Sequence, residues 1–432
     1  MSTFEQRSKP RQVGKAGTVV AALDIGCSKI ACLIGRVDPG SRAGFAFMGG
    51  GRQQSRGFNG GAITDMDALE RSVRLAVEDA EREAGERIER VILGITGPKV
   101  DSQLAEAQIE LGQREITPRD VQKVWAQALG KTVPKDREIL GAYPVMYGVD
   151  DEDDIRDPVG MIGDCVRVLL NVVTAPKTLV QNLTECVQRA HLGVDRVVPS
   201  ALASGSGSLI EDEIDNGAIC IDFGGGVTSV SVFLNGAPAW LDLVKLGGSH
   251  VTGDITQAIG TTFAAAERLK TVYGSADLEG PGMAERIEAP RLGDDGRLSA
   301  GRMSRGELAQ VIVPRVEEIF EMVRAKLNDS ELRPILPRRT VLTGGASQLP
   351  GTRDLAARIL NQPVRLGRPI DADVLGENYG NPAFSTAAGL ISYELKGFAD
   401  ASRAGAASAL IAGGSTGRGV IARILKWVRE NF

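Results

Sequence analysis

Short apolar runs broken by glycine turns open the chain. Residues 18–26, 28–37 and 44–50 read as three strands, the first two separated by a glycine loop. The apolar period then changes: Leu69, Val73, Ala76, Val77 and Ala80 recur at helical spacing and predict a helix over 64–83 that ends before Gly85. A buried strand over 90–97 follows. The stretch 98–173 differs in character, with Thr117-Pro118-Arg119-Asp120 starting a helix through Leu129 and strands near 138–149 and 166–174. It reads as a compact α+β insertion, and its acid run 150–154 as a solvated loop.

A helix over 176–191 leads to a strand at 194–198 and a small-residue segment at 199–208. Strands at 218–222 and 228–234 flank a second glycine loop, and Asn235-Gly236 is a hairpin turn signal into 239–246. Residues 249–273 read as one helical region, and 274–303 as Gly- and charge-rich with weak periodicity. Ser304 and Glu307 fit a capping box for a helix interrupted or bent at Pro314. A strand at 340–343 precedes Gly344 and Gly345, and 384–395 forms a closing helix. From Lys396 the chain turns rich in Ala, Gly and Ser, as flexible linkers are. The last residues are amphipathic: Val420, Ile421, Ile424, Leu425, Trp427, Val428 and Phe432 fall within roughly 160° of a helical wheel, opposite Arg423, Lys426, Arg429 and Glu430. That pattern, with Trp and Phe among the apolar residues, is how a helix lies in a membrane interface.

Composition narrows the field. At 432 residues the chain exceeds one core, and 43% hydrophobic content is that of a folded soluble protein. A formal charge of −5 gives no reason to expect nucleic acid. Cys27, Cys32, Cys165, Cys186 and Cys220 form no CxxC pair, which fits a reduced compartment and not a zinc site. His191 and His250 are the only histidines, leaving little material for His-based catalysis; His250, beside Gly247, Gly248 and Ser249, is expected to be structural. The polar, basic N-terminus lacks an apolar signal core, and nowhere do about 18 apolar residues run together to span a bilayer.

The candidate chemistry lies in three loops. Asp24-Ile25-Gly26-Cys27-Ser28-Lys29 ends a strand and turns toward the next, presenting backbone N–H groups that suit phosphate oxygens. Asp222-Phe223-Gly224-Gly225-Gly226-Val227-Thr228 repeats the Asp–apolar–Gly order nearly two hundred residues later. Missing side chains let backbone approach an anion, and a carboxylate at each loop can order a hydrated divalent cation. Gly344, Gly345 and Ala346 close a strand with a flat backbone surface against which a purine could lie.

These motifs in this order, ALDIGCSKI, ICIDFGGGVTSVSVF, VLTGGASQLPG and STAAGLISY, resemble the actin, sugar kinase and heat-shock chaperone ATPase superfamily, and within it the FtsA family of bacterial cell-division proteins. The resemblance covers about 18–395 plus the tail. It implies an α/β, actin-like two-lobed fold of duplicated ribonuclease-H-like cores, an FtsA-type inserted α+β subdomain and a C-terminal amphipathic helix. The expected division is a disordered 1–17; a first lobe over 18–97, continued by 174–199 and 384–395; an insertion over 98–173; a second-lobe core over 200–247, continued by 335–383; its small subdomain over 248–334; a linker over 396–418; and a membrane-targeting helix over 419–432.

The resemblance further implies ATP with Mg²⁺ in the cleft. Asp24, Gly26, Cys27, Ser28 and Lys29 would meet the phosphates from one side and Gly224, Gly225 and Gly226 from the other, with Asp24 and Asp222 reaching magnesium through water. Glu267 and Lys270 match a superfamily pair at the ribose and adenine, and Gly344, Gly345 and Ala346 border the base. Chaperone relatives carry acidic groups where this chain has Val198 and Ser229, and a Thr where it has Val227. Strong binding with slow or negligible hydrolysis is therefore expected. Implied partners are further copies of the chain in filaments, other division proteins, anionic inner-membrane lipid through the tail, and the C-terminal peptide of the tubulin-like FtsZ. For that peptide Arg315 and Glu318, with Ile319 and Met322 as apolar surface, are the candidate contacts. The implied place is the cytoplasmic face of the bacterial inner membrane at the division site. A pilus-assembly relative or a sugar-kinase-like phosphotransferase are the alternatives; the terminal helix argues against both.

Overall fold

The computed structural model describes residues 15–402, with 133 and 294 left out. Two five-stranded sheets share one topology. In the first, Val19–Ile25 is central, with Lys29–Val37 and then Phe45–Gln54 antiparallel on one side and Arg90–Ile95 and Gly193–Pro199 parallel on the other. In the second, Ala218–Phe223 takes the central place, Thr228–Leu234 and Ala237–Val244 follow antiparallel, and Thr340–Thr343 and Val364–Leu366 lie parallel. Both central strands are almost wholly apolar and buried, as a strand covered on two faces must be. This is the duplicated actin-like architecture.

Helices Ser200–Ser208 and Ser385–Lys396 cross in contact with each other and with strands of the sheets. Every residue of the first is buried, and so are Ser385 to Tyr393 of the second. Small residues make that possible, since a side chain at Gly389 would strike the Ala203 carbonyl. The small-residue segment that had no assigned element is therefore a buried helix whose packing needs close backbone approach.

The insertion is an antiparallel sheet ordered Asp101–Glu115, Ile162–Pro176, Arg137–Val149 and Glu152–Ile155, with helix Pro118–Thr132 packed on it over its own apolar core. Residues 101–115, given no element from sequence, form its long edge strand, because their alternation is diluted by polar side chains on the open face. The acid run is exposed as expected but also supplies the short strand Glu152–Ile155.

Other expectations need correction. The helical region 249–273 is two helices, Gly248–Ile259 and Phe263–Tyr273, parted at Gly260 with φ of 67°. Helix Arg305–Asp329 runs on through Pro314, and 286–304 contains two small hairpins. The ordered chain reaches back at least to Gly17, whose amide donates to the Val37 carbonyl at 2.9 Å. At the other end the linker does not begin at Lys396. Lys396 donates to the Ser206 carbonyl at 3.0 Å, and the Ala401 amide to the Ala142 carbonyl of the insertion at 2.7 Å. Arg196 ties the segment down, binding Glu394 at 2.9 Å and the buried Asp400 at 2.7 Å. The amphipathic residues 419–432 lie outside the described residues.

Candidate functional site

The two glycine loops are built alike. Gly26 N–H donates to the Lys29 carbonyl at 3.0 Å, and Gly224 N–H to the Val227 carbonyl at 3.1 Å, so each hairpin closes by the same tight turn. Each carboxylate stands one residue before its strand ends, beside the parallel neighbour: Asp24 opposite Gly94 and Asp222 opposite Thr343. The loops face each other. A Cβ on Gly225 would lie 2.8 Å from Ser28 Cβ, and one on Gly226 2.7 Å from Cys27 Cβ. Glycine here keeps the facing loops from colliding.

A cavity of about 890 Å³ opens between them, within the range of small-molecule sites. Asp24, Gly26, Cys27, Ser28, Lys29, Asp222, Gly224, Gly225, Gly226, Glu267, Lys270, Gly344, Gly345 and Ala346 all line it, although they come from four separate stretches of chain. Burial pushes the Asp24 carboxyl up to about 6; the Lys29 charge opposes that rise and the Asp222 charge adds to it. Asp222 is likewise raised by burial, against a 2.8 Å hydrogen bond from Thr386 Oγ1 and the charge of Lys29. Burial also raises the Cys27 thiol, opposed by amides of Gly61, Gly60 and Gly226, so it is no reactive thiolate. Lys29 lines the cleft but turns its ammonium onto the Ala383 carbonyl and stands 4.9 Å over the Phe384 ring.

At the other end Gly344 holds φ of +88°, and a Cβ there would meet Asp222 Oδ1 at 2.3 Å and the Phe223 carbonyl at 2.5 Å. A Cβ on Gly248 would lie 2.9 Å from Ala346 Cβ. Lys270 is not the solvated residue its helix pattern alone would give. Its ammonium donates to the Gly248 carbonyl at 3.0 Å, Thr252 Oγ1 at 2.9 Å and Glu267 at 2.8 Å. His250 lines the cleft but is structural, its Nδ1 accepting from Gly247 N–H at 3.1 Å.

Sequence reasoning missed several lining residues. Thr386 and Ala383 come from the closing helix and the turn before it, and Ser55 and Ser200 from a strand end and a helix start. Serine and threonine at such places carry no sequence signal of their own. The Ser55 and Ser200 hydroxyls are buried without a partner, as fits a cleft that receives a polar ligand. The glycine cradle, facing carboxylates and orphan hydroxyls together suit a nucleotide with a hydrated cation. Among the described residues no cluster of three or more His, Cys, Asp or Glu could hold a metal on protein ligands alone. Val198 and Val227 are buried, and Ser229 lines the cleft opposite Asp222 in register.

Arg315 and Glu318 lie apart from the cleft. Arg315 is held by both oxygens of Asp254, at 2.6 and 3.0 Å, and by Glu318. Ile319 is fully buried in the second-lobe core and offers no surface, which corrects the expectation; Met322 is exposed.

The family described as cell division protein FtsA matches residues 219–389, and the SHS2 domain inserted in FtsA matches 97–174. The chain is 39% identical to a cell division protein FtsA of Agrobacterium fabrum, across 99% of this chain and 97% of that one. Against the protein of that name from Escherichia coli K12 it is 31% identical, across 96% and 98%. Among solved structures it resembles a chain of a PilM-PilN type IV pilus biogenesis complex, with TM-score 0.62 and 16% identity over 87% of this chain and 98% of that one. ADP-bound MreB5 of Spiroplasma citri gives TM-score 0.51 and 12% identity over 88% and 96%. At such identities these two structures speak for the fold alone.

Proposed function

The chain belongs to the FtsA cell-division family, and from that premise we propose that it is an ATP-binding actin-like scaffold that anchors FtsZ filaments to the cytoplasmic face of the bacterial inner membrane. The observation that carries the nucleotide reading is the pair of matching Asp–apolar–Gly hairpins facing one cavity. Backbone amides of 26–28 and 224–226 hold the phosphates, and Asp24 and Asp222 orient the water shell of Mg²⁺. Lys270 and Glu267 meet the ribose, and Gly344 to Ala346 the base. ATP, when bound, supplies the negative charge and bridging contacts that hold the two lobes closed. A cation beside Asp24 would favour its ionised form and offset its desolvation.

Hydrolysis is slow on this reading. Val198 and Val227 present no acceptor and Ser229 no carboxylate, so a water has no strong base at those positions. The nucleotide then acts mainly as a ligand selecting a polymer-competent state. We propose the division of the chain into lobes, insertion and tail set out above, with residues 396–402 belonging to the body and not to the linker.

Membrane docking falls to Val420, Ile421, Ile424, Leu425, Trp427, Val428 and Phe432 on the inserted face and Arg423, Lys426 and Arg429 toward anionic headgroups. Among the described residues no helix is long and apolar enough to cross a membrane. Helix Arg305–Asp329 is the proposed dock for the FtsZ C-terminal peptide. There Arg315 exchanges its exposed partner Glu318 for a peptide carboxylate while keeping Asp254, and Met322 supplies the apolar contact. The likeness to a pilus complex at 16% identity supports the shared fold and not a pilus role.

Co-sedimentation tests the proposal. FtsZ should pellet with anionic vesicles only when the full chain and ATP are present. FtsZ that stays in the supernatant with the intact protein would refute the anchoring role.

A further inference from the structure

The sheet of the insertion is covered on both faces, and the two faces have different hosts. Along Ile162–Pro176, Val168, Leu170 and Val172 lie in the insertion's own core, shared with helix Pro118–Thr132. The residues between them face the other way, as strand alternation requires. Leu169 packs on the second-lobe core with Leu104 and Val145, whereas Val173 joins the first-lobe core with Leu140 and Tyr143. Val145 reaches the second lobe where the register slips. Met146 pairs with Leu169 and Pro144 with Leu170, which leaves Val145 as the bulged residue. In return Leu241, from the second lobe, packs into the first-lobe core.

The strand that receives this face is Ala237–Val244, the outer strand of the second sheet. An outer strand leaves backbone groups without a sheet partner. Here the Leu241 amide donates to Ser102 Oγ, and Asn171 Nδ2 donates to the Pro238 carbonyl, each at 3.2 Å. Ser102 Oγ donates in turn to Asn171 Oδ1 at 2.6 Å, and Asn171 is fully buried. A second tie lies nearer the surface: Asn235 donates to Asp154 at 2.6 Å, and Arg156 to the Asp215 carbonyl at 3.2 Å. The insertion leaves the first lobe after Arg90–Ile95 and rejoins it at helix Lys177–Arg189, so these bonds run from one lobe to the other.

We propose that the insertion is a brace between the lobes. The Ser102–Asn171 pair and the Val145 contact hold the second lobe's outer strand, and the cleft opens only when that strand slides on the insertion. A buried amide whose partners meet it at one position of the strand opposes sliding, because a shifted strand leaves it unpaired. Ser102, Val145, Asn171, Pro238 and Leu241 do not line the cleft, so the brace governs release of a ligand without touching it. The brace stands on the packing alone; its effect on release rests on the nucleotide reading above.

The test uses the full chain. Asn171→Leu keeps the approximate volume and deletes both amide bonds. Release of labelled ATP with Mg²⁺, chased by excess unlabelled ATP, should be about tenfold faster than in the parent, the scale of one lost buried polar partner. In the ligand-free chain the Leu241 amide should exchange its hydrogen faster by a like factor. Val145→Ala thins the apolar part of the contact and should move both readouts the same way, which keeps the test open if Asn171→Leu fails to fold. Val168→Ala, on the opposite face of the same sheet, should leave both at the parent's values. Parent-like release and exchange in Asn171→Leu and Val145→Ala, or an equal change in Val168→Ala, would overturn the brace. Faster exchange with unchanged release would overturn its control of the cleft. A parent chain that binds no ATP would overturn the nucleotide reading, and Leu241 exchange in the ligand-free variants then decides the brace by itself.

Discussion

Replacing Asp24 by asparagine should stabilise the ligand-free protein at pH 8 and change little at pH 4. Asp24 is 6% exposed, and burial beside Asp222 pushes its carboxyl from 3.8 up to about 6. A raised acid binds its proton more tightly folded than unfolded. Stability is therefore full below the unfolded value near 4, falls as pH rises toward 6, and stays low above it. At 1.36 kcal/mol per pH unit, the rise amounts to about 3 kcal/mol. Asparagine keeps the shape without the charge and so removes that cost. For a melting unit of about 150–250 residues the gain is roughly 6–12 °C in Tm. Thermal melts of parent and variant at pH 8 and pH 4, without nucleotide or divalent cation, measure it. Adding Mg·ATP at pH 8 should then raise the parent more than the variant, because the variant lacks the charge that orders the cation. A variant no more stable than the parent at pH 8, or equally more stable at both pH values, would refute the argument, since an equal gain would come from packing and not ionisation.

Three further outcomes follow from the same geometry. Gly344→Val should lose the fold as well as ATP binding, by several kcal/mol in a urea melt, because the residue is left-handed and its Cβ would overlap Asp222 and the Phe223 backbone; a soluble variant with the parent's midpoint would contradict this. Arg196→Met should cost about 3–5 kcal/mol, since the buried Asp400 loses its cation, and hydrogen exchange should quicken at the Ala142 and Ala401 amides first. Unchanged exchange there would show that the segment is held by other contacts. Trp427→Glu with Phe432→Glu should release the protein from anionic vesicles while ATP binding persists; retained vesicle binding would rule out the tail as anchor.

The glycine loops were legible because each rests on a local pattern: a buried strand, an Asp, then residues without side chains. Their repetition, 198 positions apart as Asp24 and Asp222, carried the duplicated fold as well. Thr386 was not legible as a site residue, because its contact with Asp222 of the second sheet depends on how the closing helix packs on the first sheet and on helix Ser200–Ser208. Helix Ser200–Ser208 was missed for a related reason. Its serines and glycines have poor helix propensity, and only tertiary packing overrides it. Lys270 shows the same limit: a charged residue on a helix reads as solvated until its partners Gly248 and Thr252 are placed. Ile319 erred in the opposite direction, since one helix bears both the chosen surface and a core stripe, and spacing near Pro314 did not separate them. The strap at 397–402 was hidden by small-residue composition, yet Phe398 and Asp400 each find a specific partner.

The most direct measurement is a calorimetric titration of ATP with Mg²⁺ into the full chain and into Gly225→Val. A side chain at Gly225 would drive into Ser28 of the opposing loop, touching the facing loops and no buried core. The parent should bind one ATP per chain, and the variant, melting at the parent's temperature, should bind none. Absence of binding by the parent, or equal binding by both, would contradict a nucleotide held between the two hairpins.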